Sequence, residues 1–258
     1  VPSADDPFAA VASLPGVAER VDRARAAVDA LRGHRVLRRS AERVSSESAL
    51  RGARASAALD GADAPLDVVR RTASAGDRLP TGDEAVVQGA LRVAAEVGQL
   101  QATWSRAPLQ VLARLHALAA AGLVTDPAAL GRPDPAGAPR LAALADALTA
   151  PSDAPALVVA AVVHGEVATS GAFPQGAGLV ARAAARLTMA ARGLDPQAVS
   201  VPEVGHVEIG GDAYRTALRA YAGGGADGIA AWVAHCAEAT VLGAREGVAV
   251  CEAIQRGA

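Results

Sequence analysis

The stretch from Ala154 to Arg192 limits the fold more than any other. Leu157, Val158, Val159, Val162 and Val163 make it nearly all apolar at its start. A helix apolar on every side has no face to turn to water, so it belongs at the centre of the molecule. A second helical pattern runs from Val180 to Arg192. Between the two stands Ser170-Gly171-Ala172-Phe173-Pro174-Gln175-Gly176-Ala177-Gly178. Proline followed by Gly-x-Gly between helices predicts a tight loop feeding a helix N-terminus. The free N–H groups at such an end suit an anion such as a phosphate. The same string also reads as a plain connector, because glycine joins many helices.

The spacing sharpens this. Ala160-Ala161-Val162-Val163-His164, the loop, Arg182 and then Gly193-Leu194 resemble the core of the Fic (Fic/Doc, Fido-fold) family. That family's loop reads H-P-F-x-[DE]-G-N-G-R-x-x-R after a helix carrying A-A-x-x-H. Phe173, Gly176, Gly178, Arg182 and the upstream His164 keep the skeleton. The resemblance implies transfer of AMP from a nucleotide, but four chemical positions are changed. Gly171 stands where the family has its histidine base. Gln175 stands at the metal-holding carboxylate, Ala177 at the phosphate-contacting Asn, and Leu179 at the first phosphate-clamping Arg. A positioned base contributes on the order of 10²–10⁴ in rate, and metal and arginine stabilisation of a phosphoryl group adds further large factors. Ser170 and Thr169 are poor bases near neutral pH. No AMP transfer of the family type is expected. Gly176, Gly178 and Arg182 remain candidates for holding a nucleotide or anion.

A second resemblance lies upstream. Ser56-x-x-x-Asp60-Gly61 is similar to the family's inhibitory-helix motif [ST]-x-x-x-E-[GN], as in Fic proteins whose inhibitory helix precedes the core (the class II arrangement). There the Glu pairs with the last Arg of the loop, which here implies a pair between Asp60 and Arg182. Alternatively, Asp60 only ends a helix before Gly61. Val111-Leu112-Ala113-Arg114-Leu115-His116 resembles a further family segment, while a lone histidine such as His116 is commonly a satisfied core residue. His164 reads the same way. His206 and Glu208 fall in a stretch, Val199 to Gly211, that reads as loop, with no partner in view. Residues 122–140 carry Pro127, Pro133, Pro135 and Pro139. The family's flap lies here and adds a strand to its target, but proline lacks the N–H such pairing uses. An ordinary flexible loop is the competing reading.

Composition excludes several classes. The chain of 258 residues has a net charge of −2 and no long basic run, which disfavours nucleic-acid binding. Every basic residue is Arg, which with the excess of Ala reads as genome composition. Aromatics are 2%, so Ala, Leu and Val must build the core. Cys236 and Cys251 are too few for a disulfide framework and fall on one helix roughly 22 Å apart. A reducing cytoplasm is the expected home. Val1 to Asp6 lacks the apolar run of a targeting segment, and the longest apolar run is about half of a membrane span. Gly165-Glu166 after His164 does not complete an H-E-x-x-H zinc motif.

The expectation is an all-α, Fic-like (Fido) helical fold of about nine to eleven helices. An N-terminal helical layer, residues 1–50, precedes a Fic-like domain, residues 51–258, in one compact unit. The expected function is binding by a catalytically degenerate protein, a pseudo-AMP-transferase. The alternative is a phosphate-ligand or nucleotide-binding enzyme or sensor with altered chemistry. No catalytic residue, metal or cofactor is expected; ATP is left open under the alternative and magnesium is disfavoured. A protein partner is expected, a homodimer is left open, and neither nucleic acid nor membrane is.

Overall fold

A computed structural model of the protein describes residues 6–75 and 84–257. The string Thr81-Gly82-Asp83-Glu84, which reads from sequence as a capping box, lies outside them but for Glu84. Among the described residues there are twelve α-helices, one 3₁₀ turn and no strand. In chain order these are α1 (Pro7–Ala12), α2 (Val17–Arg32), α3 (Leu37–Leu59), α4 (Leu66–Ala75), α5 (Glu84–Trp104) and α6 (Pro108–Ala120). After the 3₁₀ turn (Pro127–Ala129) come α7 (Ala138–Thr149), α8 (Ala156–Thr169), α9 (Ala177–Ala191), α10 (Pro202–Ile209), α11 (Gly211–Ala222) and α12 (Ala226–Gln255). The all-α expectation holds, and the helix count exceeds it.

The extra helix explains part of the excess. The stretch from Val199 to Gly211, read as loop, contains α10. Pro202 opens it at a position where a missing N–H costs nothing. The approach is rigid: the buried Asp195 carboxylate accepts from the Val199 N–H at 3.1 Å, the Ser200 N–H at 2.8 Å and the Ser200 hydroxyl at 2.6 Å. Gly205 serves packing. A Cβ there would stand 2.0 Å from the Ala239 carbonyl oxygen, so α10 and α12 meet backbone to backbone. Gly89 does the same for α5 against Ala119 of α6. With so few aromatics, close approach of small residues supplies the contact area.

Helix α8 is the axis of the molecule. Val159, Val163 and Val167 join one apolar cluster with Leu112, Leu115, Leu179 and Leu187. Leu157, Val158, Ala160 and Ala161 join another with Val28, Leu31, Trp232 and Val250. The all-round hydrophobicity of this helix thus serves two faces at once. The second cluster also contains Val17, Val21 and Ala24 of α2, so the N-terminal layer shares its core with α12. Across the surface, Arg51 of α3 bridges Glu47 and Glu246 of α12. Cys236 and Cys251 are free and buried, both on α12, as their spacing required. Among the described residues, no helix is long and apolar enough to cross a membrane.

Candidate functional site

The loop between α8 and α9 turns through two left-handed glycines, Gly171 (φ +75°) and Gly176 (φ +74°). Gly176 is the N-cap of α9, so the helix starts at Ala177 with its first N–H groups open to the loop. Phe173 is buried and anchors the loop by stacking on His116, ring centres 4.3 Å apart. His116 is itself held by α6 and accepts the Gly131 N–H at Nδ1, 3.0 Å; burial pushes its pKa down. Gly171 is exposed, and a Cβ built there would have nothing within 4 Å beyond its chain neighbours. Gln175 is exposed. Leu179 points the other way and is 2% exposed within the core of α5, α6 and α9.

The centre of the site is Arg182, one turn further along α9 and 2% exposed. Its Nε donates to the Ser56 hydroxyl at 2.7 Å and its Nη2 to the Ser56 carbonyl at 2.9 Å. Nη2 also donates to Asp60 Oδ1 at 2.8 Å, and Nη1 to the Tyr214 hydroxyl at 3.2 Å. Sequence reasoning left the Asp60–Arg182 contact open, and the structure makes it. Burial opposes charge on this guanidinium, but Asp60 and Tyr214 outweigh it and hold the pKa above the ordinary arginine value. The Asp60 carboxylate also lies over α9: a Cβ on Gly178 would stand 2.5 Å from its Oδ1. The place where an anion would meet the start of α9 therefore already holds a carboxylate.

Tyr214 leads from Arg182 into a set of rings that sequence reasoning did not assemble. Its hydroxyl lies 2.9 Å from His164 Nε2. His164 meets the edge of Trp232, and His206 stacks on His235 with Nδ1 3.1 Å from His235 Nε2. These residues come from α8, α10, α11 and α12, so no local spacing announces them. His164 is thus the hydrogen-bonded core histidine expected, whereas His206, read as a loop residue, is a buried one. Burial first, then the Arg182 charge and His235, lower the pKa of His164. His206 is lowered by burial and by His164, His235 and Arg182, and burial brings His235 to about 4.

That arrangement sets a pH dependence. These imidazoles are neutral when folded and take up protons near pH 6.5 when unfolded. Their stabilising contribution is complete above that value and is lost as the pH falls toward the folded-state values, by up to about 1.4 kcal/mol per pH unit for each of the buried His164 and His206 and by less for the half-buried, solvent-screened His235. Urea midpoints should therefore fall steadily between about pH 7 and about pH 5. A flat midpoint over that range would mean the rings already carry charge in the fold.

The proline-rich segment before α7 closes over the loop. The Asp134 N–H donates to the Ala172 carbonyl at 2.7 Å, and Gly137 packs so tightly that a Cβ would meet the Ala172 nitrogen at 2.3 Å. Arg140 then ties α7 to α8, donating to Glu166 at 3.0 Å and to the Thr169 carbonyl at 2.8 Å. Among the described residues this segment forms no strand.

Comparison with solved structures fits this geometry. A Fic family protein from Desulfovibrio desulfuricans matches with a TM-score of 0.72 at 22% identity, over 91% of this chain and 74% of that one. Fic-1 from C. elegans matches with a TM-score of 0.71 at 14% identity, over 94% and 74%. A variant of the same nematode protein gives 0.64 at 16% identity, over 87% and 70%. No protein-family model and no curated protein matches the sequence. The chain has the all-α Fic (Fido) fold.

Proposed function

We propose that this is a catalytically degenerate Fic-like protein that acts by binding, with a protein as its partner and the cytoplasm as its compartment. The observation that carries the reading is the space at Gly171. If the Fic loop is superposed in register, the family's base belongs there, and no residue other than its chain neighbours Ser170 and Ala172 comes within 4 Å of where its Cβ would stand. Leu179, at the position of the clamping Arg, is part of the core, and Gln175 offers no negative charge for a cation. Titration calorimetry with ATP, with and without magnesium, should give no heat. Appearance of an AMP adduct on any protein, read by mass spectrometry, would overturn the reading.

One observation favours the alternative, a phosphate-bearing ligand held at Gly176, Gly178 and Arg182. The Asp60 carboxylate over Gly178 sits where such a ligand would. Under that reading Asp60→Ala vacates the seat and restores heat with ATP. Under the reading preferred here the variant stays silent.

A further inference from the structure

Behind Arg182, on the side away from the loop, lies a small cavity bounded by α8, α9, α10 and α12. It offers about 20 Å³ to the centre of a water-sized sphere, room for one water or one ion. Its wall includes His164, His206 and Cys236. All three are buried, and one ring nitrogen from each histidine and the cysteine sulfur lie within 4.8 Å of one another. The geometry points to a binding site for a single thiophilic d¹⁰ cation, held by His164, His206 and Cys236, with the cuprous ion preferred over zinc.

Three features support it. The donor set is two imidazoles and one thiol, the soft and borderline ligands that select Cu(I) and Zn(II) over magnesium or calcium. Each ring is oriented by an outer partner at one nitrogen: Tyr214 at His164 Nε2, and His235 at His206 Nδ1. An imidazole has two nitrogens, so each ring can keep this partner while its second nitrogen serves as a ligand, the arrangement commonly found around metal-bound histidine. The distances are also close to those needed. Ligands of one such ion stand roughly 3.3–3.7 Å apart, given bonds of about 2.0 Å to nitrogen and 2.3 Å to sulfur. Set against the 4.8 Å that bounds the ligand atoms here, the closure needs shifts of roughly an ångström.

Charge decides between the two ions. On binding, the Cys236 S–H bond breaks, a sulfur–metal bond forms, and the proton leaves to solvent with no change in oxidation state. The site then contributes one negative charge. The nearby cations already have partners, Arg182 with Asp60 and Arg186 with Glu203. A monovalent ion therefore leaves the buried site neutral, whereas a divalent one leaves an uncompensated positive charge beside Arg182, which is costly away from water. The sequence hid this site because its three ligands come from three helices, with no Cys or His spacing to read.

The test is anaerobic loading of the purified full chain with cuprous ion, in competition with a chromophoric chelator, and a parallel loading with zinc. The expected result is one cuprous ion per chain, one proton released, and weaker retention of zinc. Cys236→Ser should abolish retention, whereas Cys251→Ala, at the other buried cysteine of the same helix, should leave it unchanged. X-ray absorption on the loaded wild type should show one sulfur and two nitrogen neighbours, a result that does not depend on whether Cys236→Ser folds. Retention of neither ion, meaning that the cavity holds only water, would overturn the proposal. So would equal retention by Cys236→Ser, or a coordination shell without sulfur. Zinc held more tightly than cuprous ion would overturn the preference argued from charge.

Discussion

Replacing Arg182 by methionine is expected to destabilise the fold by about 3–5 kcal/mol, the usual cost of removing one member of a buried ion pair. The guanidinium is 2% exposed and donates to four acceptors on two other helices and their ends. Methionine fills much of the volume but donates nothing. Asp60 then keeps a charge with no partner, and the Ser56 carbonyl and the Tyr214 hydroxyl each lose a donor. Asp60→Leu alone should also be costly, because it leaves the buried cation without its carboxylate. The double variant should recover a large part of the loss, since replacing a whole buried pair by apolar groups is often close to neutral. Urea denaturation of the four proteins gives the coupling directly. An Arg182→Met midpoint indistinguishable from wild type would mean that α3 is held to α9 by its apolar contacts alone.

The outcome bears on function as well as stability. A pair that contributes this much to the fold is a poor gate, because opening it for a ligand would cost the same energy. A pair worth little could be displaced by a phosphate, as the alternative reading requires. The Asp60→Ala titration and the Arg182 cycle therefore bear on the same question from opposite sides.

The helical hairpin was legible because its signals are local. An apolar run, a Pro-x-Gly-x-Gly loop and an amphipathic continuation lie within forty or so residues, and each has a direct physical meaning. Phe173, His164 and Arg182 were placed through the resemblance of this same stretch to the Fic loop, not by periodicity. The Asp60–Arg182 contact was readable only through a family resemblance, since 122 residues separate its members. Helix α10 was missed because Pro202, Gly205 and Gly210 look like breakers. In the fold they serve as a first-turn proline, a contact point with Ala239 and a cap. Tyr214 and Trp232 are buried, and the polar chain from Arg182 through Tyr214 to His164 was not foreseen. Such chains depend on which helices cross, and single-helix periodicity carries no record of that.

Trp232→Ala should cost about as much as loss of Arg182, on the order of 3–5 kcal/mol, for a different reason. The indole is fully buried, and its N–H donates to the Ala161 carbonyl at 2.8 Å, joining α12 to the central helix. Its ring lies 4.9 Å from His164, 5.7 Å from His235, 5.8 Å from Tyr214 and 6.3 Å from Tyr221, centre to centre. The surrounding rings are tied by their own hydrogen bonds, Tyr214 to His164, His206 to His235 and Tyr221 to Glu166, so none swings freely into the void and the cavity term is added nearly whole to the lost transfer energy. Trp232→Phe separates the two contributions. It restores most of the volume but not the hydrogen bond, and should recover all but about 1–2 kcal/mol. Guanidinium denaturation followed by far-ultraviolet circular dichroism reads both variants without relying on the lost indole. If the alanine variant lost less than about 1 kcal/mol, the crossing of α12 over α8 would rest on close backbone contact rather than on this ring.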